Sequence, residues 1–156
     1  MSERKLDIAN IGRIGQIFID GDILPDILMD PFTCDDDNTD YNIEVFNKLK
    51  ITLMKIERLN PDIYLTGAIW SWYKANKRMA TPVIAGRAQP SVGWVISPCN
   101  DELQRTLSED VETVRNWEDG KTSYYFPIRT SECDVVGALE LIAGSEYGPH
   151  EKRYNV

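Results

Sequence analysis

Residues 122–143 read TSYYFPIRTSECDVVGALELIA, and this stretch decides the fold. Aromatic and β-branched residues on both sides of a short polar turn predict two antiparallel strands, at 122–129 and 134–143. Pro127 is expected to kink the first strand, whereas Gly137 allows close packing of the second. This hairpin predicts a sheet that is largely antiparallel.

The first sixty residues predict a strand, a short irregular stretch and a long helix. The isoleucines of 14–20 predict a strand, and Pro25 limits 23–29 to a short edge strand or a loop. Four apolar residues then recur every three or four positions, which predicts a helix over about 41–59. These residues are Phe46, Leu49, Leu53 and Ile56.

The middle of the chain predicts more strands and a second helix. β-branched and aromatic residues favour a strand over 62–73, although Pro61 could also begin a helix there. Two further strands are expected at 81–85 and 92–96, followed by a helical stretch over 100–117. Together these elements predict a single globular domain of 156 residues. Its fold is expected to be α+β, with a largely antiparallel sheet of five to six strands and two principal flanking helices.

The composition is that of an ordinary globular chain with an excess of acids. Apolar residues make up 42%, charged residues 27%, and the net charge is −8. This charge disfavours general nucleic-acid binding, which needs several Lys or Arg residues at phosphates. The sequence contains no apolar run long enough to span a membrane, no signal-peptide core and no CxxC pair among its three cysteines. We therefore expect a soluble cytoplasmic protein.

The charges are unevenly placed along the chain. The acids stop at Asp62 and resume at Asp101, and the residues between them carry +4 while the remainder sums to −12. The four cations of this block are Lys74, Lys77, Arg78 and Arg87. Such a block indicates a buried core, a cleft that binds an anion, or a surface that docks on the acidic face of a partner or a second copy.

Four aromatic residues fall within the same acid-free block. Trp and Tyr are enriched where proteins bind partners, and beside Lys or Arg they stack on charged or planar groups, although they are also ordinary core residues. The predicted ligand site consists of Trp70, Trp72, Tyr73, Lys74, Lys77, Arg78, Arg87 and Trp94. The ligand expected there is a small anion.

Residues with catalytic or metal-binding potential are few. His150 is the only histidine, which excludes zinc sites built from two histidines. The acids at 35–40 resemble part of a calcium loop, but the Gly and Glu that such a loop requires are missing. Cys99 precedes a predicted helix, whose N-terminus favours a thiolate, but the acids that follow oppose this effect. We therefore predict no metal site and no catalytic residue, and the sequence identifies no cofactor. The alternative is an enzyme that uses Cys99.

The end of the chain resembles a GAF domain. A predicted helix is followed by SYYFPIR at 123–129, a polar turn and VVGALEL at 135–141. GAF domains often close with an aromatic-rich strand ending in Pro-Ile or Pro-Leu, a hairpin, and a strand of the type Val-Ile-Gly-Val-Leu. The resemblance implies an antiparallel sheet flanked by helices, often dimeric, that senses a small ligand. It covers structural residues only, so it assigns no ligand-binding residue.

Two functions from different classes follow from these observations. The first is a non-enzymatic, sensor-like module that binds a small ligand or regulates a partner, with a homodimer as one expected state. The alternative is a small acidic protein-binding factor that engages a basic partner surface, such as an inhibitor, an immunity or antitoxin-like protein, or a viral accessory protein. Its acidic faces would be 35–40 and the cluster Glu109, Asp110, Glu112, Glu118 and Asp119.

Overall fold

The computed structural model describes residues 7–27, 42–72, 79–85 and 97–144, with the backbone alone for 79–85 and 97–98. The helices are α1 (Ile8–Phe18), α2 (Ile43–Glu57) and α3 (Asp101–Glu109), with one short 3-10 helix at Leu24–Asp26. The strands are β1 (Leu65–Trp72), β2 (Met79–Ala85), β3 (Ser97–Pro98), β4 (Thr113–Asn116), β5 (Lys121–Arg129) and β6 (Val135–Gly144).

The strands pair in the order β3-β2-β1-β6-β5-β4, and every neighbouring pair is antiparallel. The hairpin predicted from 122–143 is confirmed as β5 and β6. Strand β6 is central, because it pairs with β5 on one side and with β1 on the other. The stretch 62–73 contains a strand, as its β-branched and aromatic residues favoured.

The α+β class is confirmed, but the predicted layout, five to six strands with two principal helices, is wrong, because three helices flank the sheet. The side chains are described for β1, β4, β5 and β6. Strands β2 and β3 continue the sheet beyond β1 as described backbone. The strand expected at 92–96 lies outside the described residues.

Helix α1 replaces the strand that was expected at 14–20. Its buried residues Ile11, Gly12 and Gly15 share one face at helical spacing, and the side chain of Asp7 caps its N-terminus by accepting from Asn10 N at 2.8 Å. A Cβ atom at Gly12 would collide with the ring of Phe126 in β5. The glycines therefore let α1 lie directly on the sheet, and this packing outweighs the β propensity of the isoleucines.

The other two helices differ from prediction mainly at their ends. Helix α2 lies within the expected 41–59 and is capped by Asn42, whose side chain accepts from Val45 N. Helix α3 does not reach residue 117 as expected, because Asp110 adopts a left-handed conformation with φ 58° and β4 follows. A residue in this conformation commonly ends a helix.

Side chains alternate between the two faces of the sheet and form two cores. One face packs against α1 and α2 and is almost entirely aliphatic, with Leu53, Ile69 and Leu139 fully buried. The other face packs against α3 around Leu103, Leu107, Tyr125 and Ala138, with Trp70, Trp72, Cys99 and Val135 beside them. The second face also buries the polar side chains of Thr66, Ser123 and Glu140.

Replacing Gly12 with Ala tests the contact between α1 and β5. We expect Gly12→Ala to lower the free energy of unfolding by about 1–3 kcal/mol, because the Phe126 ring must move. At a helix position where an added Cβ meets no neighbour, replacing Gly with Ala would instead raise the free energy of unfolding. Asn10→Ala, at an exposed position of α1, is the control and should change stability by less than about 0.5 kcal/mol. Urea denaturation measures both, and equal stabilities would contradict the close packing.

Candidate functional site

The register of β1, β6 and β5 brings polar residues together on the face that α3 covers. Glu140 lies opposite Ala68 on one side and Tyr125 on the other. Ile142 lies opposite Thr66 and Ser123 in the same way. Residues directly opposite in antiparallel strands point to the same face. Four of the polar residues on this face are buried, and Trp70 and Asn100 are half-buried beside them. We call the six residues Thr66, Trp70, Asn100, Ser123, Tyr125 and Glu140 the polar cluster.

Glu140 is the charged member of the polar cluster and is only 5% exposed. Its Oε1 atom accepts a hydrogen bond of 2.9 Å from Trp70 Nε1. The hydroxyl of Tyr125 lies near this carboxylate, whose charge raises the pKa of Tyr125. A buried carboxylate requires such donors, because an isolated charge is very costly away from water.

Tyr125 links Glu140 to the start of α3. Its hydroxyl accepts from Asn100 Nδ2 at 2.9 Å, and Asn100 Oδ1 accepts from Leu103 N at 2.8 Å to cap the helix. Burial raises the pKa of Tyr125 above its ordinary value, and the charge of Glu140 raises it further. Tyr125 therefore stays protonated at neutral pH.

Thr66 carries a buried hydroxyl that lacks a partner. Thr66 is 1% exposed, and its Oγ1 is one of two buried side-chain atoms in the described part of the chain without a hydrogen bond. Thr113 on the same face differs, since its Oγ1 lies 2.7 Å from Thr106 Oγ1 and donates to Glu102 O at 2.8 Å. An unpaired buried hydroxyl lowers the free energy of unfolding by about 1–3 kcal/mol, so the burial of Thr66 Oγ1 requires an explanation.

The structure places two residues of the predicted ligand site beside the polar cluster. Trp70 donates to Glu140, and Trp72 packs against the same core. The other predicted residues, Tyr73, Lys74, Lys77, Arg78, Arg87 and Trp94, lie outside the described residues. Sequence reasoning missed Glu140, Tyr125, Thr66 and Asn100. The available signal was Glu140 itself, a single charge within the otherwise apolar strand VVGALELIAG.

Cys99 lies next to the polar cluster but is poorly suited to nucleophilic chemistry. It is half-buried, and burial raises the pKa of its thiol. A raised pKa lowers the fraction of thiolate, which is the reactive form. Within 7–27, 42–72 and 97–144, no group of three His, Cys, Asp or Glu residues is placed to hold a metal ion.

The acidic cluster expected to meet a basic partner is largely neutralised. Four of its five acids form ion pairs with cations, at 2.7–3.2 Å. The pairs are Glu109–Arg105, Asp110–Arg129, Glu112–Arg13 and Asp119–Lys121. A basic partner would have to compete with these cations. The acids at 35–40 lie outside the described residues.

Comparisons with known proteins assign no family to this chain. No family model matches it, and no curated protein matches it significantly. The GAF resemblance therefore stays a prediction. Of the helices that the structure describes, none combines the length and apolar character needed to cross a membrane.

The raised pKa of Tyr125 predicts a loss of stability at alkaline pH. The unfolded chain releases this proton near pH 10, whereas the folded protein retains it to higher pH. The stabilising contribution is complete below pH 10 and is lost as pH rises further, at up to about 1.4 kcal/mol per pH unit. Tyr125→Phe should show a shallower loss in urea denaturation between pH 9 and 11. Tyr124→Phe, on the opposite face of β5, is the matched control, and identical slopes would contradict the prediction.

The two described cysteines should react at different rates with iodoacetamide at pH 7.5. Cys133 is exposed, whereas Cys99 is half-buried with a raised pKa. We expect Cys133 to be alkylated at least about tenfold faster, as followed by peptide mass spectrometry. Faster reaction at Cys99 would instead favour the thiol enzyme that the sequence left as an alternative.

Proposed function

We propose that this chain is a non-enzymatic module that binds a small ligand at the polar cluster and signals its presence through α3. The observation that carries the proposal is the unpartnered hydroxyl of Thr66, buried on the same sheet face as the carboxylate of Glu140. A buried hydroxyl without a partner is uncommon in folded proteins, and a bound ligand is one way to satisfy it.

The carboxylate of Glu140 is able to accept more hydrogen bonds than the one that it receives from Trp70. A carboxylate offers about four acceptor positions, and Trp70 accounts for one of them. Directly opposite Glu140 in β1 stands Ala68, whose side chain is small and apolar. A donor group of a ligand would therefore face an anionic acceptor in a site from which water is largely excluded.

The described residues favour a ligand with an amine or amide N–H group. Glu140 would accept from that group, Thr66 Oγ1 would supply a second hydrogen bond, and the Trp70 ring would contact the ligand's apolar or cationic part. A small anionic ligand remains the prediction for Lys74, Lys77, Arg78 and Arg87, which the structure does not describe. The two predictions combine in a ligand that carries both kinds of group.

A ligand at the polar cluster would reach α3 through Asn100. Asn100 holds the hydroxyl of Tyr125 with its amide nitrogen and caps α3 with its amide oxygen. A ligand that competes for Tyr125 would release or reorient Asn100, and a lost helix cap costs about 1 kcal/mol. Ligand binding would thus alter the stability of α3, which is the property that a sensor needs.

Substitution of Thr66 separates a ligand contact from a structural role. Thr66→Val keeps the shape of the side chain and removes the unpaired hydroxyl, so it should stabilise the ligand-free protein by about 1 kcal/mol. Thr113→Val, the matched control, removes a hydroxyl with two partners and should destabilise it by about 1–3 kcal/mol. Urea denaturation of protein refolded without ligand measures both effects.

The same variants, isolated from the native host, test binding by native mass spectrometry with a denatured run for comparison. We expect a mass excess of bound ligand in the wild-type protein and in Thr113→Val, and a smaller occupancy in Thr66→Val. A bare chain in all three samples, together with destabilisation by Thr66→Val, would contradict the proposal.

A further inference from the structure

A second feature lies on the outer side of α1 and α2, across the sheet from the polar cluster. Phe18 at the end of α1 is 69% exposed, and Ile17 beside it is 80% exposed. Phe18 forms one wall of a groove of about 340 Å³. The groove is lined by Phe18, Thr52, Lys55, Ile56 and Leu59, and we call it the α1–α2 groove.

The exposed side of α2 extends this apolar surface. Ile51 on α2 and Leu59, two residues beyond its end, are 55% and 39% exposed. Ile51 and Lys55 are spaced i, i+4 and share one side of α2. Phe18 and Leu59 line the same groove, and exposed apolar surface of this kind is typical of binding sites.

Three exposed cations border the α1–α2 groove. Lys48 and Lys55 are exposed on α2, Arg58 is exposed directly after its end, and none of the three forms a salt bridge with another described residue. The one acid on the exposed side of α2 is Glu44, near the opposite end of the helix. The exposed side of α2 is therefore basic in a protein whose net charge is −8, whereas the exposed Asp20 lies two residues after Phe18.

We propose that the α1–α2 groove docks an acidic amphipathic helix of a partner protein. Apolar side chains of that helix would insert between Phe18 and Leu59, and its carboxylates would pair with Lys48 and Lys55. This is the helix-in-groove mode of recognition, in which apolar anchors give affinity and complementary charge gives orientation. The proposal does not depend on the ligand site.

Charge and shape argue against two other occupants of such a face. A second copy that bound through a two-fold axis would place the same basic surface of both chains in one interface, so it would supply no carboxylates for Lys48 and Lys55. An anionic membrane is flat, whereas a concave groove suits an inserted side chain.

The test uses the full chain and a fluorescently labelled synthetic helix of sixteen residues. The probe carries Leu at positions spaced i, i+3, i+4 and i+7 and Glu at most other positions, and fluorescence anisotropy measures its Kd. Two control peptides replace the glutamates with lysine or distribute the leucines around the helix. We expect the acidic amphipathic probe to bind in the micromolar range and both controls to bind at least about tenfold more weakly.

Matched variants locate the binding site. Lys55→Glu should weaken probe binding about five- to tenfold, whereas Arg105→Glu makes the same charge change on α3 and should leave the Kd within about twofold. Phe18→Ser should weaken binding about tenfold, whereas Val114→Ser changes an exposed apolar residue of β4 and should have little effect. All four positions are exposed, so the folded state should persist in each variant.

Three results would overturn the proposal. The first is equal effects of Lys55→Glu and Arg105→Glu, which would show non-specific attraction of charge. The second is a homodimer in sedimentation that Phe18→Ser converts to monomer, which would make a second copy the occupant. The third is co-sedimentation with vesicles of phosphatidylcholine and phosphatidylserine without any binding of the probe, which would make a membrane the occupant.

Discussion

The hydrogen bonds that hold β6 between β1 and β5 determine on which face of the sheet each side chain at its centre lies. Because side chains alternate along a strand, this register directs Leu139 and Leu141 towards α1 and α2, and Ala138 and Glu140 towards α3. A slip by one residue would drive the carboxylate of Glu140 into the aliphatic core. The apolar core and the proposed ligand site thus depend on the same ladder.

Each face of the sheet also contains one buried carboxylate with its own structural partner. On the α2 side, Glu57 is 1% exposed, and its Oε2 accepts from Gly67 N at 2.8 Å. The described pairing between β1 and β2 begins one residue later, at Ala68, so Glu57 satisfies a strand N–H beyond the end of that ladder. On the α3 side, Glu140 bonds the side chain of Trp70 rather than backbone. A bond to backbone stabilises the strand whatever else is bound, whereas a bond to a side chain can be exchanged for a bond to a ligand.

The two proposed binding surfaces lie on opposite sides of the sheet and use opposite chemistry. The polar cluster is buried and presents a carboxylate, whereas the α1–α2 groove is exposed and is bordered by cations. Neither surface blocks the other, so a ligand and a partner could be bound together. Strand β1 lies between them, since its residues contribute to both cores. It therefore provides a direct physical connection between the two surfaces.

The sequence by itself determined the elements whose signals are local, the β5–β6 hairpin and the apolar stripe of α2, and it favoured a strand at β1 while leaving a helix open there. It failed at 14–20, where the isoleucines favour a strand in isolation. The helix instead packs through Gly12 and Gly15 against Phe126 and Leu139, more than a hundred residues away. The polar cluster was decided by tertiary structure alone. Trp70 and Glu140 are separated by seventy residues, and strand pairing, which no periodicity within a segment encodes, brings them within 2.9 Å.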